Sequence, residues 1–193
     1  MKMICGVVLA LFLGGCAGLV MGASNANSVY TAYTLGRDER GVLSVARDKI
    51  VKTKIQAAIA HSKNLSNFDL DVSVIWGHAY VVGEVENSGE IEQIANILKT
   101  VGGVRKGRLY VRLKSERKCS LEQESAIRQK LVNELVKDSA VASTNIGVSV
   151  VQCDVVFTGA VDDIEQEKRI LWYAYHSEGV REIHSYLFIS GKR

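Results

Sequence analysis

Val81-Val82-Gly83-Glu84-Val85 and Phe157-Thr158-Gly159-Ala160-Val161 are the two stretches on which the fold turns. Each is an apolar run broken by a glycine where a strand interior disfavours one, which points to a bulge or a close backbone approach. They lie 76 positions apart, and that offset lays one half of the chain on the other without a gap. Val74 falls on Val150, Ile94 on Ile170, and Gly103-Val104-Arg105 on Gly179-Val180-Arg181. Upstream, Val51, Ile55 and Ile59 fall on Ile127, Leu131 and Leu135. A repeat that keeps both its apolar spacing and its glycines is one supersecondary unit used twice.

Outward from Gly83, Leu70, Val72 and Val74 alternate with polar residues as a half-buried strand does. Trp76-Gly77-His78 form the turn into a second strand over 79–85. Val51, Ile55, Ala58 and Ile59 recur at helical spacing and predict a helix over 45–61. Asn87 and Ser88 are candidate caps for a helix over 89–101, ended by Gly102-Gly103. Leu109, Val111 and Leu113 mark a third strand. The second copy predicts helices over 121–137 and 163–177 and strands over 146–152, 155–161 and 183–190. The fold class is therefore α+β. Two tandem αββαβ domains, 45–114 and 119–190, each set two helices on a three-stranded mixed sheet.

Composition divides the copies. Residues 45–114 carry eleven Lys/Arg against seven Asp/Glu, a net +4; residues 119–190 carry six against eleven, a net −5. Oppositely charged copies attract each other or choose different partners. With no proline in the chain, the turns rest on Gly, Asn, Asp and Ser.

The amino terminus reads as a sorting signal. Lys2 precedes an apolar run through Leu13, and Leu13-Gly14-Gly15-Cys16 resembles a bacterial lipobox. That resemblance implies removal of residues 1–15 and acylation of Cys16, with several acyl chains anchoring the protein stably. Ala17 after the cysteine implies sorting to the outer membrane, facing the periplasm. The competing reading is an uncleaved transmembrane anchor, since the opening stretch is long and almost uncharged. Residues 16–44 start from this cysteine, and their small polar run Ser24–Ser28 reads as a tether.

Two copies of helix, hairpin with a Val/Thr-Gly-x-Val strand end, helix, Gly-Val and strand resemble the BON domain. Behind a lipobox, the pair resembles the dual-BON outer-membrane lipoproteins associated with division and envelope stress. The resemblance implies a non-enzymatic protein that binds anionic phospholipid and supports outer-membrane integrity. The alternative is an adaptor for an outer-membrane assembly or division complex. The resemblance marks Gly83, Gly103, Gly159 and Gly179 as fold-signature positions. It also places lipid contact on the first helix of the second copy, where relatives carry a tryptophan. Here that stretch is Leu121-Glu122-Gln123-Glu124-Ser125, acidic and without an aromatic.

The residues themselves offer another surface. Arg108, Tyr110, Arg112 and Lys114 share one face of the third strand, with Arg105 and Lys106 at its start. Cations on an open sheet face suit phosphate headgroups, each worth about 1 kcal/mol at an anionic surface. The same face also suits solvent, or docking on the acidic second copy through His184, Tyr186 and Phe188.

Cys119 precedes the first helix of the second copy, and Cys153 sits in its hairpin turn. An antiparallel helix brings the two together, so an oxidising compartment favours a disulfide over two buried thiols. Trp172, Tyr173 and Tyr175 share a helix and suit core and rim. The four histidines have no ligand spacing. No catalytic set, metal motif or phosphate-cradling glycine loop appears, so no cofactor and no enzyme activity are expected. The envelope address and the small net charge argue against a nucleic-acid partner.

Overall fold

The computed structural model describes residues 41–67, 69–141 and 145–190. Cys16 and the whole leader lie outside these. In the first copy, α1 (Val42–His61) leads to β1 (Leu70–Ile75), β2 (His78–Val85), α2 (Ser88–Thr100) and β3 (Lys106–Leu113). A 3-10 turn, Lys114–Glu116, leads into the second copy. There α3 (Leu121–Lys137) is followed by β4 (Ile146–Val151), β5 (Asp154–Val161), α4 (Ile164–Tyr175) and β6 (Ile183–Ile189).

Each sheet is mixed, with the middle strand antiparallel to its hairpin partner and parallel to the last strand. Gly83 pairs with Leu70, and Gly159 with Ile146, in unbroken register. The glycines are therefore sites of close approach and not bulges. Local chemistry sets the helix starts. The Asn87 side chain accepts from the Glu90 amide, and Asp163 accepts from that of Gln166. Ser120 and Gln123 close a reciprocal capping box at the head of α3.

The cores obey the repeat position by position. Val51, Ile55, Ile59, Leu70, Val72, Val81, Val85 and Ile94 pack between helices and sheet in the first copy. Ile127, Leu131, Leu135, Ile146, Val148, Phe157, Val161 and Ile170 occupy the same places in the second. Burying each such side chain contributes about 1.5–3 kcal/mol. The helices cover one face of each sheet, and the other faces meet one another. Val82, Val151 and Val156 form a third apolar cluster between the copies, flanked by Tyr110 and Tyr186. The result is four layers: helices, sheet, sheet, helices.

Candidate functional site

The period-two alternation of β3 sends Leu109, Val111 and Leu113 to the core of the first copy and the opposite set outward. Part of that outward face, at Tyr110, is covered by the second copy. The Tyr110 hydroxyl donates to Asp154 Oδ2 at 2.8 Å. Burial first, and then this hydrogen bond, hold its pKa far above the usual phenol value. Tyr80 is fully buried and donates to the Tyr186 carbonyl at 3.3 Å, with its pKa pushed up to about 12 by desolvation. Ring contacts close the edges: His78 lies 4.2 Å from Phe188, and His184 lies 4.3 Å from Tyr110.

A polar hub fixes the far end of this interface. Gln152 is wholly buried, and its Nε2 donates to Glu84 Oε1 at 2.7 Å and to the Leu113 carbonyl at 2.8 Å. Arg117, in the connection between the copies, pairs with both Glu84 and Glu124. Glu124 also accepts from the Gln152 amide at 2.7 Å. Beside the hub, Cys119 and Cys153 form a disulfide, their Cα atoms 5.8 Å apart. Gln152 and Cys153 both have left-handed backbone, as do Trp76 and Gly77 at the matching turn of the first copy. That turn is held in the same way. Asp48, the repeat partner of Glu124, accepts from the amides of Trp76 and Gly77 at 2.7 and 2.8 Å.

The six cationic-face candidates thus divide. Tyr110 belongs to the interface. Arg112 is half-buried. Lys114 pairs with Asp69 at 3.1 Å and Glu86 at 2.8 Å. Arg105, Lys106 and Arg108 remain exposed at one end of the first copy. Their field is felt by His78, whose pKa falls below 6.5 through desolvation first and then through Lys106, Arg105 and Arg108.

Structure also gathers residues that sequence reading did not single out. Arg47, Ile50 and Lys54 of α1 border a groove with Trp76, the Gly102-Gly103 turn and Arg105. A signal was present: Leu43 and Ile50 are apolar but lie off the buried stripe of α1. On α3, Leu121 is exposed while Glu124 points into the hub. On α4, Trp172 and Tyr175 are exposed, and the Tyr173 hydroxyl donates to Asp138 at 2.8 Å. Among the described residues, no group of three or more His, Cys, Asp or Glu is placed to hold a metal. Nor is any described helix long and apolar enough to cross a membrane.

The BON-domain family model matches residues 47–106 and 123–189, one match per copy. This chain belongs to the BON-domain family. BON domains are non-catalytic and are associated with membranes, phospholipid binding and periplasmic proteins. A protein of Anaplasma centrale, described as uncharacterized in the gshII 5′ region, is 25% identical over 91 residues. That match covers 47% of this BON-domain chain and 60% of the relative, so the chain spans less than two thirds of the relative's length. Two solved structures of CdsD, a structural protein of the Type III secretion system of Chlamydia trachomatis, align at 14% identity. Their TM-scores are 0.31 and 0.32; the alignments cover 74% and 76% of this chain, and 66% and 65% of theirs.

Proposed function

We propose that this chain is a periplasm-facing outer-membrane lipoprotein, anchored through Cys16, that binds anionic phospholipid and supports the integrity of the outer membrane. The observation that carries the lipid reading is the exposed cation cluster Arg105, Lys106 and Arg108 on a BON domain. The cluster stays exposed although Tyr110, farther along the same strand face, is used between the copies. Cations gathered at one end of a domain create a local positive potential that attracts an anionic surface. The lipobox supplies the anchor, and the BON family supplies the association with membranes.

The experiment is co-sedimentation of the chain from Ala17 onward with phosphatidylglycerol or phosphatidylcholine vesicles. Binding to the first, weak binding to the second and loss at high salt are expected. Equal binding to both would overturn the reading. Incorporation of labelled palmitate, abolished by Cys16→Ser, tests the anchor. The exposed Trp172 and Tyr175 favour a second reading, an adaptor that docks an outer-membrane assembly or division protein through α4. In that case the chain from Ala17 onward ignores both kinds of vesicle.

A further inference from the structure

The groove at the end of the first BON domain is open, whereas the matching place in the second is stapled shut. In the first copy, α1 and the turns before β2 and β3 enclose about 510 Å³. Leu43, Arg47, Ile50 and Lys54 follow one another at spacings of four, three and four, so one helix face alternates apolar and cationic side chains. Leu43 is 73% and Ile50 56% exposed. Arg105 completes the rim; a Cβ on Gly77 would sit 2.9 Å from its Cγ, so the glycine lets the arginine stem lie across the turn. Asp48, the carboxylate of the lining, is buried and turned inward onto the Trp76 and Gly77 amides.

The repeat supplies an internal comparison. Moving 76 positions on, Leu43 becomes Cys119 and Gly77 becomes Cys153, which are joined in the disulfide. Arg47 becomes Gln123, whose side chain closes the capping box of α3, and Ile50 becomes Ala126. Trp76 becomes Gln152, which is spent in the interdomain hub. Lys54 and Arg105 keep their charge as Lys130 and Arg181, so what the first copy alone carries is the exposed pair Leu43 and Ile50, the third rim cation Arg47 and a turn without the disulfide.

We propose that this groove seats the phosphate-bearing headgroup of an anionic phospholipid within the bilayer surface. Arg47, Lys54 and Arg105 meet the phosphate, Leu43 and Ile50 enter the acyl boundary, and Trp76 lies at headgroup level. Charge and chain length argue for a bilayer. The rim is cationic, and exposed aliphatics beside cations match the headgroup–acyl boundary, not a soluble anion. α1 begins at Val42, and the residues between Cys16 and Val42 reach at most about 95 Å when fully extended. An anchor at Cys16 would thus hold the groove at high effective concentration over the membrane. This inference rests on the lipoprotein reading above.

The chain has two tryptophans, so Trp172→Phe leaves Trp76 as the single reporter. The full lipidated chain is reconstituted in mixed phosphatidylcholine–phosphatidylglycerol vesicles, with bromine on the acyl chains of one lipid or the other. Brominated phosphatidylglycerol is expected to quench Trp76 several-fold more than brominated phosphatidylcholine. The Arg47→Ser, Lys54→Ser, Arg105→Ser variant should lose that preference about five-fold or more. Ile50→Ser, which removes no charge, should lower the quenching by both lipids; circular dichroism checks that each variant is folded. If the triple variant keeps its full preference, the seat is elsewhere although lipid binding stands. If no variant, and not the parent either, distinguishes the lipids, the lipid-binding reading itself fails. If millimolar inorganic phosphate abolishes the preference, the groove is a site for free phosphate and the membrane assignment is overturned.

Discussion

A methyl group on Gly83 would strike the carbonyl oxygen of Asp69, and one on Gly159 that of Asn145. In the first copy the same Asp69 carbonyl accepts from the Glu84 amide at 3.0 Å, so the oxygen is not free to retreat. Gly159 also has a φ of +116°, where side chains are strained whatever the space around them. Gly83→Ala and Gly159→Ala are each expected to lower stability by about 2 kcal/mol or more in urea denaturation. Gly102→Ala meets open space and is expected to stay within about 0.5 kcal/mol of the parent. Equal effects at all three positions would show that close approach is not what selects glycine at the strand ends.

Among the elements, α3 is the one tied down covalently. Its head carries the capping box, and the residue before the cap, Cys119, is bonded to the β4–β5 turn across a sequence separation of 34. In the chain-entropy view, closing such a loop stabilises by about 3–4 kcal/mol. Cys119→Ser with Cys153→Ser is therefore expected to lower the denaturation midpoint by that equivalent, and a reductant should do the same to the parent but not to the variant. A parent whose midpoint ignores reductant would remove the disulfide from the account of stability. Elements were largely legible in the sequence because each has a local cause. Ser120 and Gln123 fix the start of α3, and the spacing of Ile127, Leu131 and Leu135 fixes its buried side. What covers β3 was not so fixed. Alternation says that Arg108, Tyr110, Arg112 and Lys114 share a face, but the partner of that face lies a whole domain away. The groove was less legible still, because Arg47, Trp76 and Arg105 come from three segments that only the folded turns bring together. Leu43 and Ile50 were the available clue, as apolar residues outside the helix stripe that the core uses.

For the whole molecule, the meeting of the two sheets decides whether this is one body or two. Tyr80, Val82 and Val156 are almost completely buried at that junction, and each such side chain contributes about 1.5–3 kcal/mol. Domains of about 70 residues are marginal alone, so a shared interface is a large part of what each has. The net charges of +4 and −5 add attraction, and the Glu84–Gln152–Arg117 hub adds direction. The two copies are therefore expected to unfold together. With Trp76 as the single reporter for the first and Trp172 for the second, urea midpoints should coincide in the parent. Val156→Asp places an unpaired carboxylate against Val82 and Tyr186, a cost of several kcal/mol unless the interface opens. The two midpoints should then separate, with the first copy keeping its own core of Ile55, Ile59 and Val81. Separate midpoints already in the parent would mean that the domains are merely strung together. Coincident unfolding makes a different statement about function: Trp76 borders the groove and also touches Phe188 edge-on, with ring centroids 6.0 Å apart. The second domain then braces the site that the first domain presents, and lost docking should weaken vesicle binding without any change to a cation.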